Sequence, residues 1–156
     1  MMPVEHLKHS SWFSLLVAPI VGLPGAAVVF LSSLLIDADH WIWSIWALGH
    51  WNPLKAVRWH RRTLRDLSCL NYHICCVFHT VEFLSVLGAV AIFSPFARLV
   101  LLGMLFHVAC DLLYDWKVSR KIQLNLRVKY LLTPFLPKLA RGEIFAEPAP
   151  TSPKPL

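Results

Sequence analysis

Residues 9–40 read HSSWFSLLVAPIVGLPGAAVVFLSSLLIDADH. No charged residue interrupts the 28 positions between Lys8 and Asp37, after which Asp37, Asp39 and His40 arrive together. About twenty apolar residues in a helix, rising ~1.5 Å each, match the ~30 Å hydrocarbon thickness of a bilayer. The run therefore reads as membrane-crossing helix, with its arrangement open. One long helix could extend from near Ser11 to near Ile36. Alternatively, Gly22-Leu23-Pro24-Gly25 divides it into a hairpin of two arms, because Pro and Gly punctuate helices. A cleavable signal segment, with Lys8 as its basic part and a cut near Ala26-Ala27, is a third option. Similar apolar segments recur downstream, which argues against it. The hairpin is preferred because it places Lys8 on the side where the later basic residues lie.

The rest of the chain fits this start. Hydrophobic types make up 56% of the 156 residues and charged types 15%, against roughly 25% charged in ordinary soluble domains. A chain this short cannot bury so much apolar surface in water, so a disordered chain and a soluble globule are both disfavoured. Two further apolar segments run from about residue 67 to 93, ending at Ser94-Pro95, and from about 96 to 116. The fold expected is all-α: a polytopic membrane bundle of about four helices. Residues 1–133 form the embedded domain. Residues 134–156, which hold six of the eleven prolines, form a Pro-rich tail expected to be disordered.

Fifteen basic against nine acidic residues give a net charge of +6. The basic residues flank apolar runs, a pattern of membrane orientation and lipid contact, so no nucleic acid partner is expected. Lys55, Arg58, Arg61, Arg62 and Arg65 form a basic loop. Lys117, Arg120, Lys121, Arg127, Lys129, Lys138 and Arg141 follow the last apolar segment, whereas the turn near residue 95 has only Arg98. The positive-inside rule places the two basic regions in the cytoplasm. Trp41, Trp43, Trp46, Trp51, Trp59 and Trp116 fall on that side, as an interfacial belt would. Residues 117–130 are basic and partly alternating, and their secondary structure stays ambiguous. Cys69, Cys75, Cys76 and Cys110 form no C-x-x-C pair and read as reduced thiols.

The scarce ionisable groups beside the apolar runs carry the functional reading. An Asp at the bilayer centre costs roughly 2.5–3.5 kcal/mol, so such groups need partners. His107, Asp111 and Asp115 share a helix face at i, i+4 and i+8; His79 and Glu82 would share one at i and i+3. Measured from the outer helix ends, Glu82 lies about 16 Å deep, His79 about 21 Å, His107 about 15 Å and Asp111 about 21 Å. In the hairpin, Asp37 lies about 18 Å deep, Asp39 about 21 Å, His9 about 18 Å and His6 about 22 Å. Four helices then present imidazole or carboxylate at one level in the cytoplasmic half. That is the ligand set of Zn, Mn or Fe, and facing helices of a bundle are where such sites are built. The chemistry it offers is a metal-activated water attacking a phosphoryl or carbonyl centre. The other reading is a non-enzymatic membrane protein. Its cluster would be a polar lock between helices, a metal-binding site or part of an ion or proton path.

Leu34-Leu35-Ile36-Asp37-Ala38-Asp39-His40 and His107-Val108-Ala109-Cys110-Asp111 resemble two motifs of the YdjM-like family of LexA-regulated bacterial inner-membrane, metal-dependent hydrolases. That family has Leu-Leu-Pro-Asp-x-Asp-His after an apolar helix, and Ile36 stands here for the Pro. It also has a late His-x-x-x-Asp in an apolar helix, an N-terminal His, a His-Arg, and a Thr-His-Ser. His6 or His9 corresponds to the N-terminal His, and Phe78-His79-Thr80 to the Thr-His-Ser. His60-Arg61 departs from the pattern, since no His follows Thr63 at once. The resemblance spans roughly Val4 to Asp115. The family is distantly similar to zinc-dependent phospholipase C in its helical layout, which implies phosphoester hydrolysis.

These readings converge on an inner-membrane, multi-pass hydrolase with its site facing the cytoplasm. His6, His9, Asp37, Asp39, His40, His79, His107 and Asp111 are the candidate ligands of one or two divalent metals, zinc first and manganese or iron next. Glu82 and Asp39 are the candidate catalytic carboxylates. The substrate expected is a small-molecule or lipid phosphoester, drawn by the basic loop between Lys55 and Arg65.

Overall fold

The computed structural model describes residues 3–49, 51, 52, 54, 55 and 77–122. Arg58 to Arg65, the start of the third apolar segment (67–76), the chain beyond Ile122 and the Pro-rich tail lie outside the described residues. So do His50, His60, His73, Cys69, Cys75 and Cys76.

The described residues form four helices and no strand: α1 (Pro3–Leu35), α2 (Ala38–Leu48), α3 (Val81–Phe93) and α4 (Pro95–Ile122), with a 3₁₀ turn at Val77–His79 before α3. Val4–Ile42 and Pro95–Tyr114 are each long and apolar enough to cross a membrane.

Of the arrangements open for the first segment, the chain adopts the hairpin. Helical geometry breaks at Gly22, with φ 72 and ψ 167, a region essentially restricted to glycine. The Ser10 and Ser33 hydroxyls hydrogen-bond at 2.8 Å. A straight helix would hold residues 23 apart at about 35 Å, so α1 folds back on itself about Gly22. Both arms pack on α4. Phe13 stacks on Phe106 with ring centroids 4.0 Å apart. On the other arm, Gly103 permits the closest approach: a Cβ there would collide with the Val29 carbonyl and the Ser32 hydroxyl.

Ser94 serves two helices at the short turn that joins α3 to α4. It ends α3, its backbone N–H donating to Val90 O, and its hydroxyl caps α4 by accepting from the Ala97 amide. Pro95 then occupies the first helical position, where its missing N–H costs nothing. Arg98 reaches back to the Ala91 and Ile92 carbonyls at 2.8 and 2.9 Å, satisfying the open end of α3.

Two local features differ from the sequence reading. A helix, α2, follows Asp37 directly and ends at Gly49, whose left-handed φ of 65 closes it through a bond to Ile45 O. And His79 does not share a helix face with Glu82. Thr80, extended at φ −80 and ψ 148, caps α3 by accepting from the Phe83 amide. A hydroxyl residue at this cap is worth roughly 1 kcal/mol over alanine, and His79 falls in the turn outside α3.

Apolar and polar residues are distributed inside out. Trp12, Leu15, Leu16, Ile20 and Leu23 form an outward stripe, with Ile20 85% exposed, whereas His6, Ser10, Ser33, Asp39, His79, His107 and Asp111 are buried. Among the described residues, Ile36 and Val108 form a buried apolar cluster, with Phe78, Leu84 and Met104 against them.

Candidate metal centre

Four parts of the fold bring ionisable groups to one place. His6 comes from the first turn of α1, Asp37 from the break between α1 and α2, and Asp39 and His40 from the first turn of α2. His79 comes from the 3₁₀ turn, and His107 and Asp111 from successive turns of α4. Their ligand atoms gather as two triads: His6, His107 and Asp111, all buried, and Asp37, His40 and His79.

The outer nitrogens of three imidazoles are already engaged. His107 Nδ1–H donates to the Ser33 carbonyl at 2.6 Å. His79 Nδ1–H and His40 Nδ1–H donate to the two oxygens of Asp39, at 3.2 and 2.9 Å. Asp39 Oδ2 also accepts from the Phe78 amide at 3.0 Å. A neutral imidazole that donates through Nδ1 carries a lone pair on Nε2.

Those lone pairs converge on carboxylate oxygens, which are also acceptors. His79 Nε2 and His107 Nε2 lie 3.6 and 3.4 Å from Asp37 Oδ1, and both lie 3.9 Å from Asp111 Oδ2. His6 Nε2 is 3.3 Å from Asp111 Oδ1, and His40 Nε2 is 4.0 Å from Asp37 Oδ1. His79 Nε2 and His107 Nε2 are fully buried and have no hydrogen-bond partner among the described residues. Buried acceptors facing acceptors are costly unless a cation lies between them. The spacing suits one. Bonds of about 2.0–2.2 Å in a tetrahedral shell hold ligand atoms roughly 3.3–3.6 Å apart.

The sequence-derived residues therefore take different places. His6, Asp37, His40, His79, His107 and Asp111 come together with ligand atoms facing inward. Asp39 lies among them, but both its oxygens are turned to imidazole N–H groups, so it orients His40 and His79 instead of facing the centre. His9 is exposed and belongs to neither triad. Glu82, half-buried in the first turn of α3, also belongs to neither.

Sequence reasoning passed over the supports. Ser33 supplies the carbonyl that fixes His107, Ser10 ties the two arms beside it, and Gly103 lets them approach α4. Small residues recurring within apolar helices, the usual sign of close helix contact in membranes, were the available signal.

No protein-family model matches the chain, and no curated protein or solved structure is significantly similar to it.

Proposed function

We propose that the chain is a multi-pass, inner-membrane, metal-dependent hydrolase of the YdjM-like kind, acting on a phosphoester or lipid-like substrate at the cytoplasmic side. One observation carries the reading. Two buried imidazole nitrogens, His79 Nε2 and His107 Nε2, face Asp37 and Asp111 oxygens across one space and form no hydrogen bond among the described residues. A polar lock between helices would join donors to acceptors there. The opposed acceptors favour a bound cation over a lock.

The outward apolar stripe and polar interior support a lipid surround, since large apolar patches in water are rare. The proposed four-helix membrane bundle takes the two α1 arms together with α3 and α4, and the packing of α1 and of α3 on α4 supports it. At 13 residues, α3 covers about 20 Å, less than a full crossing. When bound, a divalent ion supplies Lewis acidity, acidifying water and polarising a phosphoryl oxygen. The chain's own groups do the rest. Asp39 and Ser33 hold the imidazoles in the ligating tautomer. Burial of His107 and Asp111 keeps the centre dry. Glu82, three residues beyond His79, is the candidate general base. Zinc suits the nitrogen-rich set best, with manganese or iron next.

The test is metal analysis of full-length protein purified in detergent, followed by assay on chromogenic phosphomonoesters and phosphodiesters. Stoichiometric metal and chelator-sensitive turnover are expected. Absence of bound metal in wild-type protein, even after incubation with Zn2+ or Mn2+, would overturn the reading.

A further inference from the structure

We propose that the centre is dinuclear: one ion on His6, His107 and Asp111, a second on Asp37, His40 and His79, with the two carboxylates reaching across between them. The inference deepens the metal-centre reading and rests on it.

Two observations carry it. First, the six ligand atoms gather as two triads, each with its members within 4.8 Å of one another. Second, each triad's carboxylate also approaches the other triad. Asp37 Oδ1 is 3.4 Å from His107 Nε2 and 3.6 Å from its own partner His79 Nε2. Asp111 divides its oxygens, Oδ1 lying 3.3 Å from His6 Nε2 and Oδ2 3.9 Å from His79 Nε2. A carboxylate whose oxygens serve two sets of imidazoles is placed to bridge. The ring contacts fit this division. His6 stacks on His107 at 4.1 Å within one triad, and His40 on His79 at 4.9 Å within the other.

The experiment uses full-length protein in detergent, stripped of metal and titrated with Mn2+ alone, read by metal analysis and by electron paramagnetic resonance. Two equivalents are expected, with the six-line signal of isolated Mn2+ replaced by that of an exchange-coupled pair. His6→Ala and His40→Ala should each reduce binding to one equivalent and restore the isolated signal, with helicity and monodispersity unchanged as the control for folding. One equivalent in the wild type, with an isolated spectrum, overturns the dinuclear centre and leaves the single-metal reading standing. Two equivalents without coupling overturn the bridging. No bound Mn2+, together with no bound Zn2+ in a parallel titration, overturns both.

Discussion

Gly103 joins the fold to the metal centre, and replacing it should damage both by calculable amounts. It sits one helical turn before His107 on α4, against the second arm of α1, and a Cβ there would meet Val29 O and the Ser32 hydroxyl well inside contact distance. Backbone cannot swing aside as a flexible side chain can. In Gly103→Ala the arm and α4 must separate on the order of 1 Å to restore van der Waals spacing. The Ser33 carbonyl belongs to the displaced arm and receives the His107 Nδ1–H at 2.6 Å; a shift of that size takes the bond beyond useful length. Two consequences follow. Overpacking should cost about 1–3 kcal/mol of stability. Loss of the group orienting a ligand imidazole should weaken metal binding about 10–100-fold, equivalent to about 1.4–2.7 kcal/mol. Thermal melting in detergent measures the first, and competition with a chromophoric chelator the second. Gly88→Ala is the control. It lies inside α3, where a Cβ meets nothing within 4 Å, so neither quantity should fall. If Gly103→Ala binds metal like the wild type, the Ser33–His107 bond does not position the ligand and the reasoning fails.

Other perturbations test separate parts of the structure. Gly22→Ala places a side chain at φ 72 and ψ 167; about 1–3 kcal/mol of strain is expected, seen as a lower melting temperature. Asp39→Asn turns one acceptor oxygen into a donor against imidazole N–H groups, so metal affinity should drop about 10–100-fold while the wild-type metal stoichiometry persists at saturating metal.

The hairpin was legible because Gly22 and Pro24 are punctuation whose physics is local: one glycine takes a conformation closed to other residues, and no distant contact is needed to read it. His107 and Asp111 were legible for a similar reason. Four residues apart inside an apolar helix, they must share a face, and polar groups in such a run need partners. Depth arithmetic extended the argument to Asp37, Asp39 and His79, which do join them. It placed His6 and His9 alike, because depth ignores azimuth. The structure separates them, burying His6 against Asp111 and exposing His9: the buried stripe of this arm runs through His6, Ser10 and Ser14, and His9 lies about 60° to one side of it.

Periodicity failed where the helices stop. It read residues 67–93 as one segment and missed both the Thr80 cap and the separate helix after Asp37. Those breaks are where half the centre is built. Asp37 lies between α1 and α2, and His79 in the turn before α3; a regular helix in either place would have fixed their side chains to its own face. A break frees the chain to aim successive residues differently. Asp37 faces the lone pairs of His79 and His107, while Asp39, two residues on, faces the N–H groups of His40 and His79. Ligand and orienting carboxylate thus come from one short motif, and α4 needs to contribute only the evenly spaced pair that a continuous helix can offer. The division of labour explains why the Asp-x-Asp-His stretch is readable as a motif but not as a pattern. Its spacing encodes opposed directions at a helix boundary, and hydrophobic periodicity carries no information about that.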